Sequence, residues 1–168
     1  ASVSVARDKG PFRLFDSKKY LKGAFISSLP AALRKSIASC GIRNSHLTSI
    51  APTGTISLLA GNVSSGLEPV FAFTYTRKIR NGHEHDVKEV RVCDYAYRNY
   101  VELNGAKSAK NLPPCFISSS DITPDEHIAM QAELQCYVDS SISKTVNVPP
   151  DFPFEDFKNI YMNAYESG

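Results

Sequence analysis

Four cysteines, Cys40, Cys93, Cys115 and Cys136, lie far apart in the chain, with no C-x-x-C pair and no Cys/His knuckle. Structural zinc needs short ligand spacings, so no metal site is expected, and the four read as plain buried or half-buried thiols. Disulfides are possible in principle but not needed. Charge of one sign is missing too. Nineteen Lys and Arg against 17 Asp and Glu leave a formal +2, which argues against a dedicated DNA or RNA binder while allowing phosphate contacts at one site. No apolar run could cross a membrane: the longest uncharged stretch, Leu47 to Leu67, contains Pro52, Gly54, Gly61 and Asn62. Ala1 to Gly10 places Arg7, Asp8 and Lys9 where a secretory signal needs apolar residues, so a cytoplasmic location is expected. The chain does not begin with Met, and it reads as trimmed or as a fragment.

What is present suits a folded chain. With 42% hydrophobic and 21% charged residues over 168 positions, the composition is that of one globular domain, or of a piece of a larger one. Roughly 70% of the unfolded surface can be buried at this size.

Local signals predict alternating helices and strands. Asp16 is a plausible N-cap for a short helix to Lys22, stopped at Gly23. Pro30 to Cys40 predicts a helix with proline at its first position, Leu33 and Ile37 one turn apart and Gly41 beyond the end. Leu47–Ile50 reads as a strand ended by Pro52, and Thr55–Ala60 as a helical start closed by Gly61. Val70–Thr76 reads as a strand, and Arg80 to His85 as a loop with Asn81-Gly82 as a hairpin-type turn. A helix is expected from about Val92 to Leu103, and a short strand at Cys115–Ile117. Thr123 and Glu126 fit a capping box with Pro124 at the first helical position. That helix should run to about Asp139, with Met130, Leu134, Tyr137 and Val138 on one face. Ile142–Val148 reads as a strand stopped by Pro149-Pro150. Phe154, Phe157, Tyr161 and Ala164 repeat at helical spacing before Gly168. The apolar stripes are read as core. This order predicts an α/β fold with largely parallel pairing.

The chemistry concentrates at Ala51-Pro52-Thr53-Gly54-Thr55-Ile56-Ser57. A strand, a tight loop and a helix start form an anion-binding candidate, because the first helical turn has N–H groups without intrahelical partners and a partial positive charge. Gly54 allows close approach to a ligand, and Thr53, Thr55 and Ser57 can add hydroxyl donors. An ordinary N-cap, with Thr53 or Thr55 satisfying those donors, fits the same residues.

Several segments in order resemble one family: Gly41-Ile42-Arg43-Asn44, Leu47 through Ser57, Gly61 through Phe71, Tyr75-Thr76-Arg77-Lys78, and His127 to Gln135 followed by Val138 to Asn147. Gly10-Pro11-Phe12 and Leu14-Phe15-Asp16 agree with the preceding region. Together they look like the large chains of ribonucleotide reductases, most of all the adenosylcobalamin-dependent class, over nearly the whole sequence. The resemblance implies that residues 1–168 are a C-terminal portion of that family's ten-stranded α/β barrel, incomplete as a stand-alone fold. It implies that Pro52, Thr53, Gly54, Thr55, Ile56 and Ser57 hold the substrate diphosphate, mostly through backbone N–H groups, with Pro52 shaping the loop. The expected partners are a ribonucleoside diphosphate and either the remaining N-terminal part of a reductase or a second copy. Adenosylcobalamin belongs to the full-length family, and no residue here is assigned to it.

The departure matters equally. The family's radical cysteine sits in Asn-Pro-Cys-Gly-Glu and is served by a further cysteine pair, and neither context occurs around the four cysteines here. The resemblance therefore assigns no catalytic residue to this chain, which by itself should not reduce nucleotides. A non-catalytic nucleotide-binding or regulatory module, or a remnant without function, is the alternative.

Other candidates have plainer readings. His83-Glu84-His85 lacks a third ligand and reads as a solvated turn. His127 caps or packs. Glu68 is expected to hold a loop by accepting backbone N–H bonds. Arg77 and Lys78 either add positive potential to a phosphate pocket or project into water. Lys144, in an otherwise uncharged segment, must be paired if it points inward, with phosphate or a carboxylate as partner.

Overall fold

The computed structural model describes residues 1–80 and 87–168. The chain divides into two compact units: Ala1–Ile50 with Glu133–Ile142, and Ala51–Ala132 with Ser143–Gly168. The expected turn at Asn81-Gly82 and the His83-Glu84-His85 group lie outside the described residues.

The first unit is helical. Helices α1 (Ser2–Lys9), α2 (Ser17–Tyr20), α3 (Ala24–Ser28) and α4 (Ala31–Cys40) gather around Ala6, Ile26, Ile37 and Ile42, all buried. Asp16 caps α2 as expected, accepting from the Lys19 amide at 3.1 Å. Pro30 is the N-cap of α4 instead of its first residue. Gly41 ends α4 at φ 73°, and a Cβ there would lie 2.7 Å from Pro11 Cβ, so both backbone and space require glycine. Phe12, Phe15 and Tyr20 form an edge-on aromatic cluster, with ring centroids 5.5 to 5.7 Å apart.

The expected strand at Leu47–Ile50 is not formed. The amides of Leu47 and Thr48 donate to the Asp139 carboxylate, each at 2.7 Å, and the Thr48 hydroxyl adds a third bond at 2.9 Å. A charged acceptor has taken the donors that a β-ladder would use. What remains is one parallel bridge, Ile50 to Ile142.

The second unit holds α5 (Gly54–Leu59), strands β1 (Thr74–Arg80) and β2 (Val87–Cys93), α6 (Tyr95–Asn104), a 3₁₀ turn at Ala106–Lys110, most of α7 (Pro124–Gln135), whose residues from Glu133 on belong to the first unit, and α8 (Phe154–Glu166). The α/β composition stands, but the pairing differs from the parallel expectation. Strands β1 and β2 form an antiparallel hairpin, in register from Thr74 opposite Cys93 to Arg80 opposite Val87. The strand expected at Val70–Thr76 is therefore shifted, and Val92 belongs to β2. Helix α6 starts only at Tyr95 because buried Asp94 caps it, accepting from the Tyr97 amide at 2.8 Å. No strand forms at Cys115–Ile117: Pro114 and Cys115 lie in a turn closed by Phe116 N–H on the Pro113 carbonyl at 2.9 Å, and Phe116 packs against Phe73 and Tyr100.

Helix α7 carries its capping box in full: the Glu126 amide donates to Thr123 Oγ1 at 3.3 Å, and the Thr123 amide to Glu126 Oε2 at 2.7 Å. It stops at Gln135, short of Asp139, where the Gln135 side chain donates to the carbonyls of Val138 and Ser140 and stabilises a turn. Its buried residues are His127 and Ile128, while Met130 and Tyr137 from the expected face are exposed. The 142–148 strand is likewise not formed beyond the bridge at Ile142, and the Thr145 amide goes to the Glu68 carboxylate instead. On α8 the predicted stripe is not core: Phe154, Phe157 and Tyr161 are exposed and Ala164 is half-buried, while the buried residue is Ile160, outside that stripe. No described helix is long and apolar enough to cross a membrane.

Candidate functional site

The loop before α5 is built on one unusual backbone conformation. Thr53 has φ 51° and ψ 23°, the left-handed region. For a β-branched residue this is a genuine outlier, costing on the order of 1–2 kcal/mol. It turns the chain abruptly into α5, and Gly54, Thr55 and Ile56 form the first helical turn. Among the described residues no side chain caps that turn. The ordinary N-cap, with Thr53 or Thr55 closing the first turn, is thus not adopted.

Each residue of the six has a distinct placement. Pro52, Gly54, Thr55 and Ile56 are exposed, Thr53 is half-buried and Ser57 is buried. A Cβ added to Gly54 would meet nothing within 4 Å, so the space beside Gly54 is open. The Thr53 hydroxyl, expected as a ligand donor, accepts the Gly66 amide at 3.2 Å. The Ser57 hydroxyl, also expected as a donor, bonds the Gly54 carbonyl at 2.8 Å, and its amide bonds the Thr53 carbonyl at 2.8 Å. Both hydroxyls hold the loop's own shape.

Behind the loop lies a nearly dry ion pair. Lys144 Nζ is 3.0 Å from Glu68 Oε1, and the two side chains are 5% and 15% exposed. The same carboxylate oxygen accepts the Thr145 amide at 2.7 Å, Lys144 also donates to the Thr145 carbonyl, and the Ser64 hydroxyl donates to the Glu68 carbonyl. Burial pushes the Glu68 carboxyl up, but the Thr145 N–H and the Lys144 ammonium outweigh it and hold the group below its ordinary range. Lys144 is thus paired with a carboxylate, as its setting required.

Sequence reasoning missed several polar residues here. A cavity of about 460 Å³ is lined by Ser57, Asn62, Glu68, Tyr75, Ser119 and Thr145, among others. Asn62, at φ 63°, donates to the Cys93 carbonyl at 3.0 Å and accepts from the Tyr75 hydroxyl at 3.0 Å, which ties the end of α5 to the hairpin. Its place after Gly61 was a usable signal, because asparagine tolerates the left-handed region. Ser119 and His127 are 2% and 1% exposed, with Ser119 Oγ and His127 Nε2 lacking hydrogen-bond partners among the described residues. Burial lowers the His127 pKa, helped by nearby Lys144 and opposed by the Ser119 backbone, Glu68 and Glu126. No local pattern marks the burial of Ser119, whereas His127 packs, one of the two plain roles expected of it.

The remaining candidates are surface features or separate. Lys78 pairs with Glu89 across the hairpin at 3.6 Å, both exposed. No disulfide joins the cysteines: Cys40 and Cys93 are half-buried, but Cys115 and Cys136 are exposed, against expectation. Among the described residues no three His, Cys, Asp or Glu side chains group as metal ligands.

Comparison with known proteins bears on the whole chain. The family model described as "Ribonucleotide reductase, barrel domain" matches residues 1–168. A vitamin B12-dependent ribonucleoside-diphosphate reductase of Mycobacterium tuberculosis (strain CDC 1551 / Oshkosh) is 34% identical over 99% of this chain and 24% of its own length. A protein of the same description from Thermoplasma acidophilum is 35% identical over 73% of the chain and 18% of its own length. A vitamin B12-dependent ribonucleotide reductase of Streptomyces coelicolor is 29% identical over 76% of the chain and 15% of its length. The chain thus spans about a quarter or less of these relatives.

Proposed function

The chain belongs to the ribonucleotide reductase barrel family, and from that premise we propose that it supplies the substrate-phosphate loop of a ribonucleoside-diphosphate reductase. The cradle comprises Pro52, Thr53, Gly54, Thr55, Ile56 and Ser57. The observation that carries this reading is the uncapped first turn of α5 facing open space at Gly54. The amides of Gly54, Thr55 and Ile56 serve as donors to the diphosphate, joined by the exposed Thr55 hydroxyl. Pro52, Thr53 and Ser57 hold the turn in shape.

In the whole enzyme, the ribose 2′-hydroxyl of a ribonucleoside diphosphate is replaced by hydrogen. The loop's share is positioning: fixing the diphosphate fixes where the ribose sits. The rest of such a reductase or a second copy completes the barrel, and we place the protein in the cytoplasm. The relatives' vitamin B12 dependence supplies radical initiation when that cofactor is bound. Among the described residues none is assigned to hold it, and the cavity of about 530 Å³ in the first unit is of the size that suits drug-sized ligands. No step is assigned through it.

Gly54→Asp tests the cradle. The new side chain has room, so folding should persist, while a carboxylate at the turn repels the diphosphate. Calorimetric titration with a ribonucleoside diphosphate should show affinity weakened about tenfold or more, the scale of one charge-assisted hydrogen bond. Unchanged affinity would mean the loop is not the site. The second reading is a nucleotide-binding module without catalysis. Reductase activity on mixing with the remaining part of such an enzyme excludes it.

A further inference from the structure

We propose that Glu68 is a positioning residue for the phosphate loop, held by Lys144 and acting through Gly66 on Thr53; this rests on the phosphate reading above. The chain of contacts is short. Glu68 Oε1 is fixed by Lys144 at 3.0 Å and by the Thr145 amide at 2.7 Å. A Cβ on Gly66, whose φ is 63°, would lie 2.8 Å from Glu68 Oε2, so Gly66 is glycine where the carboxylate presses against the backbone. The Gly66 amide then donates to Thr53 Oγ1 at 3.2 Å, across 13 residues of sequence.

Thr53 needs that support. Its left-handed backbone is unfavourable for a branched side chain, and such conformations persist only where the surroundings over-determine them. The Gly66 bond and the Ser57 amide on the Thr53 carbonyl are the two tethers seen. Lys144, in turn, is committed to Glu68. It acts on a bound phosphate only through the loop's geometry, and recognition of the anion is left to backbone amides.

The contrast with a direct phosphate lysine makes the idea testable on the full 168-residue chain, using inorganic pyrophosphate as probe. Glu68→Gln and Lys144→Met should each weaken pyrophosphate about tenfold, with the double variant little worse than the weaker single. The dependence of affinity on salt should be unchanged, because no cation touching the ligand is lost. Amide hydrogen exchange at Gly66, followed without ligand, should quicken in both variants, and exposed Glu89→Gln should leave it alone. Where Glu68→Gln does not fold, Glu68→Asp keeps the charge and should retain part of the binding.

Two results overturn the proposal. One is Lys144→Met flattening the salt dependence while Glu68→Gln leaves binding intact or tightens it, which makes Lys144 a direct ligand. The other is unaltered Gly66 exchange in both variants. A wild-type chain that ignores pyrophosphate, with Gly66 still losing protection in Glu68→Gln, overturns the phosphate reading and upholds the contact chain.

Discussion

Helices α5 and α7 start in the same unit and begin in opposite ways. At α7 the first turn is closed by the protein itself: Thr123 and Glu126 exchange hydrogen bonds, and Glu126 places a carboxylate at the positive end of the helix. At α5 the residue before the helix is forced into the left-handed region, its hydroxyl is turned to Gly66, and no described side chain caps the turn. One start carries its own anion and the other leaves the place open. The two starts differ in the backbone of the N-cap residue and in whether a side chain returns to the first turn.

The comparison is best broken by making α5 resemble α7. Ile56 stands at the position that Glu126 occupies in α7 and is 66% exposed. Ile56→Glu should therefore fold normally and bind diphosphate about tenfold or more weakly, since an internal carboxylate competes for the same turn. Equilibrium binding and thermal unfolding of the same sample check both halves. Next in size are substitutions at Thr53. Thr53→Val keeps the backbone penalty and removes the acceptor for Gly66, and should cost about 1–2 kcal/mol in urea unfolding. Thr53→Gly loses the same bond but relieves the left-handed strain, so it should be close to neutral.

Removing the cap of α7 sharpens the contrast from the other side. Thr123→Ala should cost about 1 kcal/mol in urea unfolding and leave diphosphate affinity unchanged. The smallest effects are those of pH. His127 is held below its ordinary 6.5 in the folded state, so the unfolded chain takes up the proton first; stability is full above that value and declines as pH falls below it. Glu126 is held below its ordinary 4.5 by the Thr123 N–H and hydroxyl, so its contribution is present above 4.5 and disappears as pH falls through the folded value. Urea midpoints measured at successive pH values should show the first decline vanish in His127→Gln and persist in His46→Gln.

Legibility from sequence followed the range of the interactions. The capping box of α7, the Asp16 cap of α2 and the glycine end of α4 were readable because each involves residues within a turn or two of one another. The order Pro52 to Ser57 marked the loop, and the Glu68 acceptor role and the pairing of Lys144 were also foreseeable from a carboxylate and an ammonium in apolar surroundings. The hairpin was missed in its second strand, because Val87–Cys93 gains meaning only opposite Thr74–Arg80. The expected strand at Leu47–Ile50 failed because its donors are claimed by Asp139, which no local window contains. The uncapped state of α5 was the undecided point: Thr53 and Thr55 are both chemically able to cap, and only the backbone angle at Thr53 settles that neither does.

The Asp139 contacts also have a temporal side. Leu47 and Thr48 precede their carboxylate partner by 92 and 91 residues. At a synthesis rate of about 5–20 residues per second, their amides wait on the order of 5–20 s on the ribosome before Asp139 is made. Until then the segment around Leu47 has unpaired donors and an apolar neighbour in Ile50, a combination that other strands can engage. The carboxylate thus arrives with the last segment of the helical unit, Glu133–Ile142, and completion of that unit is timed by the length of chain inserted within it.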